Sequence, residues 1–365
     1  MMRCAQLLPE RAVANLRPVG ALLAALAFYQ ANAAPSVPEL RIYAIDVEGG
    51  QATLFVTPAH ESLLVDTGWA GHGARDAERI ARVARAAGLA RLDYVVITHY
   101  HADHVGGFPE LAARIPIGTA IDHGDYGNTD DDGTEHGWLA YKAALATGIK
   151  RLTLHAGDRI PLRDVSTVVV SSAGTQIQDG RTGSDASPNP NCADPLRYPT
   201  DTSENALSLG IIMTWGNVRV LDLGDLTSDK ERNLVCPTNK LGRIDLLIVS
   251  HHGSSESNSP LLLDSIAPRV AVMDNGAKKG GAPAVVDALR KSSGLEALWQ
   301  LHYSEDGSAV HNAAPAYIAN LSGVDKANFL SVSVKGDGSM SVFNSRTGRS
   351  QRYSARGASE RRAVQ

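Results

Sequence analysis

The feature that most constrains the fold is an apolar segment that runs directly into a cluster of histidines. Residues 92–98 are mostly hydrophobic and are predicted to form a buried β-strand. The residues that follow combine imidazoles with a carboxylate: His99-Tyr100-His101-Ala102-Asp103-His104. Such a set suits neither a core nor a solvated face, but it suits zinc or a similar divalent ion. The strand end is therefore predicted to present His99 and His101 to one ion, and Asp103 with His104 to a second.

Two later apolar segments end in the same way. Residues 218–223 lead into Asp225, and residues 244–250 lead into His251 and His252. Functional groups gather at the carboxyl ends of strands in open α/β sheets. We therefore expect all three side chains to join the first cluster, with Asp225 as a candidate bridging carboxylate.

Strand-like and helix-like segments alternate along both halves of the chain. This pattern indicates a layered α/β protein in which two sheets pack face to face with helices outside. The strands are predicted at residues 40–47, 52–57, 62–66, 92–98, 118–121, 167–171, 207–215, 218–223 and 244–250. The helices are predicted at residues 76–88, 108–113, 259–266 and 283–292, with a closing hairpin at 329–343. Residues 34–350 are predicted to form a single domain, and the basic residues of 351–365 a flexible tail.

Residues 1–33 have the order of a secretory signal peptide. Basic residues precede an apolar run at 19–29, and small residues surround a cleavage point after Ala33. The alternative is a membrane anchor, but the run is shorter than the roughly 20 residues that a membrane span needs. We therefore expect a periplasmic or secreted protein.

The overall composition is that of a folded enzyme-sized protein without a basic surplus. The 365 residues include 35 Lys and Arg against 39 Asp and Glu, and 43% are hydrophobic. This hydrophobic fraction is enough for a sizeable core. The net charge of −4 argues against a dedicated nucleic-acid binder, so no stable nucleic-acid complex is expected.

Two cysteines remain after removal of the predicted signal peptide. Cys192 and Cys236 both lie in loop-like sequence rich in Pro and Asn. An even pair in an oxidising compartment favours a disulfide, with two free thiols as the alternative.

Together these motifs resemble the metallo-β-lactamase superfamily. The resemblance covers residues 40–343 and rests on Val65-Asp66-Thr67-Gly68, the 99–104 run, Asp225 and residues 251–253. It implies a four-layer αββα sandwich with a dinuclear metal site at one edge. The implied ligands are His99 and His101 for the first metal; Asp103, His104 and His252 for the second; and Asp225 as the bridge. Asp66 is expected to support the orientation of the ligands.

Residues 46–50 and 250–254 are similar to one branch of this family, which includes competence-type DNA-uptake proteins and the phosphorylcholine esterases. In that branch His252 is the expected ligand, and His251 supports the site or lines the substrate pocket; the reverse assignment stays open. The chain departs from the family at the third ligand of the first metal. Where many members place a histidine, before residues 207–215, this chain has Ser203-Glu204-Asn205. One candidate for this place is His123, and Asn205 or Glu204 could ligate or orient instead.

The resemblance implies an exported hydrolase that uses two zinc ions, or other divalent ions, and a metal-bound hydroxide, with Asp103 orienting the nucleophile. The expected substrate is a small-molecule phosphoester or phosphodiester, and a lactone or β-lactam is the alternative. A non-catalytic binding protein on the same scaffold is an alternative of another class. No membrane contact is expected after removal of the signal. Substrate choice is expected to depend on loops at 124–165 and 174–200.

Overall fold

The computed structural model describes residues 38–127, 132–178, 182, 188–193, 198–323 and 325–357. The predicted signal peptide, residues 1–33, and the last part of the predicted tail, residues 358–365, lie outside this range. Across the described segments, no helix combines the length and the apolar character that a membrane crossing requires.

The first sheet is antiparallel on one side and parallel on the other. With strands numbered in chain order, its described strands lie side by side in this order: β18 (Arg349–Tyr353), β17 (Met340–Asn344), β16 (Leu330–Lys335), β1 (Glu39–Ala44), β2 (Thr53–Val56), β3 (Ser62–Val65), β4 (Leu92–Val96), β5 (Ile117–Asp122) and β6 (Lys150–Thr153). The pairs from β3 to β6 are parallel. Strand β3 is buried along its whole length, as expected for a strand covered on both faces.

The second sheet has the same mixed character. Its described strands follow the order β15 (Ile318–Asn320), β14 (Ala297–His302), β13 (Val270–Met273), β12 (Leu246–Ile248), β11 (Val218–Asp222), β10 (Gly210–Trp215), β8 (Ser166–Ser172) and β7 (Arg159–Ile160), with β9 (Thr175–Gln176) paired to β8. The pairs from β11 to β15 are parallel. Parallel strands need crossover connections, and helices supply several of them.

The helices cover the outer faces of both sheets. They are α1 (Arg75–Ala86), α2 (Ala102–Val105), α3 (Phe108–Ala112), α4 (Asp132–Leu145), α5 (Ser228–Val235), α6 (Pro260–Ile266) and α7 (Pro283–Lys291). One apolar cluster fills the space between the sheets. A second packs α1, α3 and α4 on the first sheet, and a third packs α5, α6 and α7 on the second. These four layers confirm the predicted αββα sandwich.

The structure corrects the sequence interpretation in two places. The predicted tail from residue 351 begins too early, because residues 351–353 complete β18, which pairs with β17. Only Tyr353 of this edge strand is buried, so its sequence carries no alternating apolar pattern. The predicted loop at 124–165 contains α4, β6 and β7. The expected disulfide is confirmed, because Cys192 and Cys236 are bonded.

Candidate metal centre

The carboxyl ends of parallel strands from both sheets meet at one edge of the sandwich. The residues found there after each strand are Asp66 after β3, His99 to His104 after β4, Asp225 after β11, and His251 with His252 after β12. Helix α2 begins within the histidine run and carries Asp103 and His104. The fold therefore brings the motifs that are far apart in the chain to one place.

Four of these side chains form a compact, buried group, which we call the ligand group: Asp103, His104, Asp225 and His252. His104 Nε2 lies 3.2 Å from His252 Nε2, from Asp103 Oδ2 and from Asp225 Oδ2. His252 Nε2 lies 3.1 Å from Asp103 Oδ2 and 3.6 Å from Asp225 Oδ2. One atom from each residue lies within 4.8 Å of all the others, which is the spacing that a single cation requires.

His99 and His101 form a neighbouring pair next to this group. His99 Nε2 lies 3.0 Å from His101 Nδ1 and 3.9 Å from Asp225 Oδ2. The same Asp225 oxygen therefore lies close both to His104, within the ligand group, and to His99 of the neighbouring pair.

Polar partners hold the outer nitrogens of the imidazoles. His104 Nδ1 lies 2.7 Å from Asp66 Oδ2, and Thr98 Oγ1 donates to the same oxygen at 2.7 Å. Thr98 Oγ1 is also 3.0 Å from His99 Nδ1. These contacts leave Nε2 of both rings facing the site, and such outer partners fix the ring and tautomer of a metal ligand.

His252 is held by its backbone as well as by its ring. His251 and His252 both have positive φ, 52° and 53°, in the turn that follows β12. Two consecutive non-glycine residues in this region carry strain, which is common at functional sites. His251 Nε2 lies 3.4 Å from Asp225 Oδ2, so both histidines reach the same carboxylate. His252 is the member of the ligand group, and its Nδ1 lies 3.4 Å from Asp274 Oδ1.

Burial and mutual charge set the protonation of the site. Burial lowers the pKa of His99 well below its usual value, and the neighbouring His104 and His101 lower it further. Burial opposes ionisation of Asp103, but His104, His252 and Lys279 outweigh it and hold the pKa of this carboxyl well below its usual range. The pKa of Asp225 is also well below its usual value, because nearby histidines outweigh its burial. The site thus combines ionised carboxylates with a neutral His99. Burial of His104 and His252 is outweighed by the carboxylates around them, which raise the pKa of both imidazoles well above the usual value, so a metal ion would displace their protons.

The donor set fits divalent metal ions. Two imidazole nitrogens 3.2 Å apart and two carboxylate oxygens, each 3.2 Å from His104 Nε2, converge on one region. Asp225 Oδ1 is buried and has no hydrogen-bond partner within the described part of the chain. A buried carboxylate oxygen without a partner is costly unless a cation completes it. Imidazole and carboxylate together are the ligands that zinc and similar ions take.

The candidates for the third ligand of the first metal lie outside the ligand group. His123 Nε2 lies 2.9 Å from Glu204 Oε1, and its ring packs on Tyr100. Glu204 Oε1 also accepts a hydrogen bond from the Tyr100 backbone N–H, at 3.1 Å. Asn205 begins a one-turn helix, and its buried Oδ1 has no hydrogen-bond partner among the described residues. The roles of His123, Glu204 and Asn205 as ligands stay predictions.

A second group of side chains that could bind a metal ion is neutralised by an arginine. Asp46, Glu48 and His302 come together near the end of β1, where His302 Nε2 lies 2.7 Å from Asp46 Oδ1. Arg79 Nη1 lies 3.2 Å from Asp46 Oδ2 and 3.7 Å from Glu48 Oε1. Because a guanidinium supplies the counter-charge, we interpret this cluster as a network of ion pairs.

Three further residues at the site were not predicted from the sequence: Asp274, Lys279 and Trp69. Strand β13 is buried along its whole length, and Asp274 and Lys279 lie in the segment that follows it. Lys279 Nζ contacts Asp103 Oδ2 and lies 5.0 Å from the centre of the Trp69 ring. Asp274 could have been found by the signal used for Asp225, which is an aspartate near the end of an apolar strand.

Comparison with known proteins shows what the chain is similar to. The family model described as the metallo-beta-lactamase superfamily matches residues 45–185. Competence protein ComA of Neisseria gonorrhoeae is 26% identical over 265 residues, which cover 72% of this chain and 31% of that protein. Recombination protein 2 of Haemophilus influenzae is 36% identical over 74 residues, which cover 20% of this chain and 9% of that protein. The chain thus spans about a third or less of the length of these curated relatives.

Solved structures with a related chain path are distant in sequence. A diphosphatase from the PhnP family is 13% identical with a TM-score of 0.38, covering 81% of this chain and 98% of that one. CmlA, a diiron beta-hydroxylase from Streptomyces venezuelae, is 13% identical with a TM-score of 0.40, covering 70% of this chain and 53% of that one. The resemblance to the family rests on other observations: the matched family model, the competence-type relative, the four layers and the convergence of the histidine motif with Asp225 and His252. Residues 45–185 therefore match the metallo-β-lactamase superfamily, and the chain is similar to a competence-type relative.

Proposed function

We propose that this protein is an exported, metal-dependent hydrolase that holds two divalent ions, with zinc as the expected metal, and cleaves a small phosphoester or phosphodiester. The observation that carries the proposal is the position of Asp225 Oδ2, which lies 3.2 Å from His104 Nε2 and 3.9 Å from His99 Nε2. A carboxylate shared in this way suits two cations at close separation. Two divalent ions held there would lower the pKa of a bound water molecule and polarise the oxygen of the electrophilic centre.

The chain's own residues prepare the site for that chemistry. Asp66 keeps Nε2 of His104 turned towards the site, and Asp274 lies beside the outer nitrogen of His252. Asp103 and Asp225 bring two negative charges that offset the charge of the cations. All four members of the ligand group are buried, so bulk water does not compete for their lone pairs.

The proposed substrate and location rest on the sequence. The similarity of residues 46–50 and 250–254 to the branch that includes the phosphorylcholine esterases favours a phosphoester. The order of basic, apolar and small residues in 1–33 favours export to the periplasm or beyond. We expect a small-molecule ester as the partner, no stable nucleic-acid complex and no membrane attachment once the signal is removed.

The test is hydrolysis of bis(p-nitrophenyl) phosphate by the protein purified after export. We expect turnover that disappears with a chelator and returns with Zn²⁺, together with bound metal measured by elemental mass spectrometry. The double change His101→Ala and Asp103→Ala is expected to abolish hydrolysis while the fold persists by circular dichroism. The matched control is His136→Ala with Asp264→Ala, the same two substitutions at exposed positions, and it keeps full activity.

Each other outcome contradicts a different part of the proposal. Full activity in the His101 and Asp103 variant would mean that the metal mechanism is wrong. Bound metal without phosphodiester turnover would move the substrate class to lactones or β-lactams, which the same assay format can test. Absence of both metal and turnover would favour a non-catalytic binding protein on this scaffold.

A further inference from the structure

One lysine lies at the rim of the ligand group. Lys279 Nζ contacts Asp103 Oδ2 and stands over the face of Trp69, 5.0 Å from the ring centre. Its side chain is 37% exposed, whereas that of Asp103 is 8% exposed. Within the described residues, this is the only lysine or arginine that pairs with a member of the ligand group. The ammonium therefore lies where solvent, and any ligand arriving from it, reaches the site.

The backbone that carries Lys279 is packed against the backbone that carries His252. Gly281 N donates to His252 O at 2.8 Å, and Gly276 N donates to Lys279 O at 2.9 Å. Gly280 has a φ of +71°, and a Cβ at this position would lie 2.0 Å from His252 O. No side chain fits between the two segments, so the position of Lys279 is coupled to that of a member of the ligand group.

The contact between Lys279 and Asp103 conflicts with metal binding by Asp103. One carboxylate oxygen cannot serve an ammonium and a divalent ion equally, because the two cations repel each other at this range. Once Asp103 serves as a metal ligand, Lys279 needs another anion, and the face of Trp69 offers only a weak cation–π contact. The Lys279 side chain is partly exposed, so such an anion can reach it from solvent.

We propose that Lys279 is a substrate-binding residue whose ammonium binds an anionic oxygen of the substrate, so that the site selects phosphoester anions over neutral esters and lactones. This inference rests on the proposed function of the same site. It adds an anion-binding group from the chain itself, beside the metal ligands and outside the motifs predicted from the sequence.

The test compares Lys279→Met, which keeps the aliphatic stem and removes the charge, with Lys278→Met. Lys278 is the adjacent lysine, 82% exposed and paired only loosely with Glu305 at 3.8 Å. Binding of inorganic phosphate to the metal-loaded protein is measured by calorimetry, and metal content is measured in parallel. We expect Lys279→Met to weaken phosphate binding by about 10- to 100-fold, the range for a hydrogen bond to a charged group. We expect Lys278→Met to bind phosphate as the unaltered protein does.

Activity provides the second measurement. For Lys279→Met, kcat/KM for bis(p-nitrophenyl) phosphate is expected to fall by a similar factor, while kcat/KM for neutral p-nitrophenyl acetate stays within about threefold. Lys279→Arg retains the charge and is expected to recover part of the phosphate affinity.

The possible results separate the two proposals. Unchanged phosphate binding in Lys279→Met would overturn the inference, and so would a loss that follows only from reduced metal content. Weaker phosphate binding at full metal content, without phosphodiester turnover in any variant, would support Lys279 as an anion-binding residue. In that case the proposed hydrolysis alone would be wrong.

Discussion

At the scale of single residues, Asp66 determines what His104 can do. Asp66 accepts hydrogen bonds from the backbone N–H and hydroxyl of Thr98, at 2.8 and 2.7 Å, and lies 2.7 Å from His104 Nδ1. All three residues are buried. With Nδ1 donating to this carboxylate, Nε2 carries the lone pair that a metal ligand needs.

The change Asp66→Asn tests this role with little change of shape. Asparagine tolerates the positive φ of this position, 61°. Its amide group places a donor where His104 Nδ1 now donates, which favours the tautomer with a proton on Nε2. We expect metal affinity to fall by about 10- to 100-fold, which is the usual effect of removing a residue that hydrogen-bonds to a metal ligand. Metal titration measures the effect, with Asp264→Asn on the exposed side of α6 as the control, and equal affinity in both variants would contradict it.

At the scale of elements, a disulfide ties a loop to the end of a helix beside the site. Cys236 follows the last residue of α5, and this helix begins three residues after Asp225. Cys192 lies in a one-turn helix, next to Asn189, whose side chain donates to Val235 O and Ser265 Oγ. The covalent bond and these hydrogen bonds hold the loop against α5 and α6.

Removal of the disulfide is expected to reduce stability and leave the chemistry intact. The two cysteines are 44 residues apart in sequence, and a closed loop of this length stabilises a fold by up to about 4 kcal/mol through the entropy of the unfolded chain. We expect Cys192→Ala with Cys236→Ala to lower the free energy of unfolding by about 2–4 kcal/mol in urea denaturation. Metal content is expected to stay unchanged. An unaltered unfolding midpoint would show that the bond contributes nothing to stability.

At the scale of the whole molecule, a buried polar contact joins the two sheets behind the site. Gln51, between β1 and β2 of the first sheet, donates through Nε2 to both oxygens of Asp222 in β11, at 2.9 and 2.8 Å. Burial raises the pKa of Asp222 to about 7, although the hydrogen bonds from Gln51 and Gly224 act in the opposite direction. The folded protein therefore binds a proton at this carboxyl more tightly than the unfolded chain does.

This difference predicts how stability depends on pH. Because the folded pKa lies above the unfolded value of 3.8, the stabilising contribution is complete below about pH 4 and is lost as pH rises to about 7. A difference of this size corresponds to at most about 4 kcal/mol. We expect Asp222→Asn to remove this decline between pH 5 and pH 8 in urea denaturation at fixed metal concentration. The variant Asp264→Asn, at an exposed position, should keep the wild-type pH profile. If stability declines equally in both variants, groups other than Asp222 cause the decline.

Local patterns in the sequence were enough to predict the architecture and the strand ends at which the histidines and Asp225 lie. Apolar segments alternate with amphipathic ones, and this periodicity reflects which faces become buried, so the layers could be predicted. The histidine run and Asp225 each follow an apolar strand directly, so their position at a strand end is a local property. By contrast, β18 buries one residue only and carries no such pattern.

Which atoms meet depends on contacts between residues far apart in the chain. His252 Nε2 reaches Asp103 Oδ2 across 149 residues, and Lys279 reaches the same oxygen across 176. Contacts of this length depend on the register of two sheets and on the backbone of the turns after β12 and β13, and no spacing in the sequence encodes them. Because burial patterns are local, the types of side chain at the ends of the strands could be predicted from the sequence alone. The shared oxygen of Asp225, the partners of the imidazoles and the lysine at the rim arose only when the two sheets packed together.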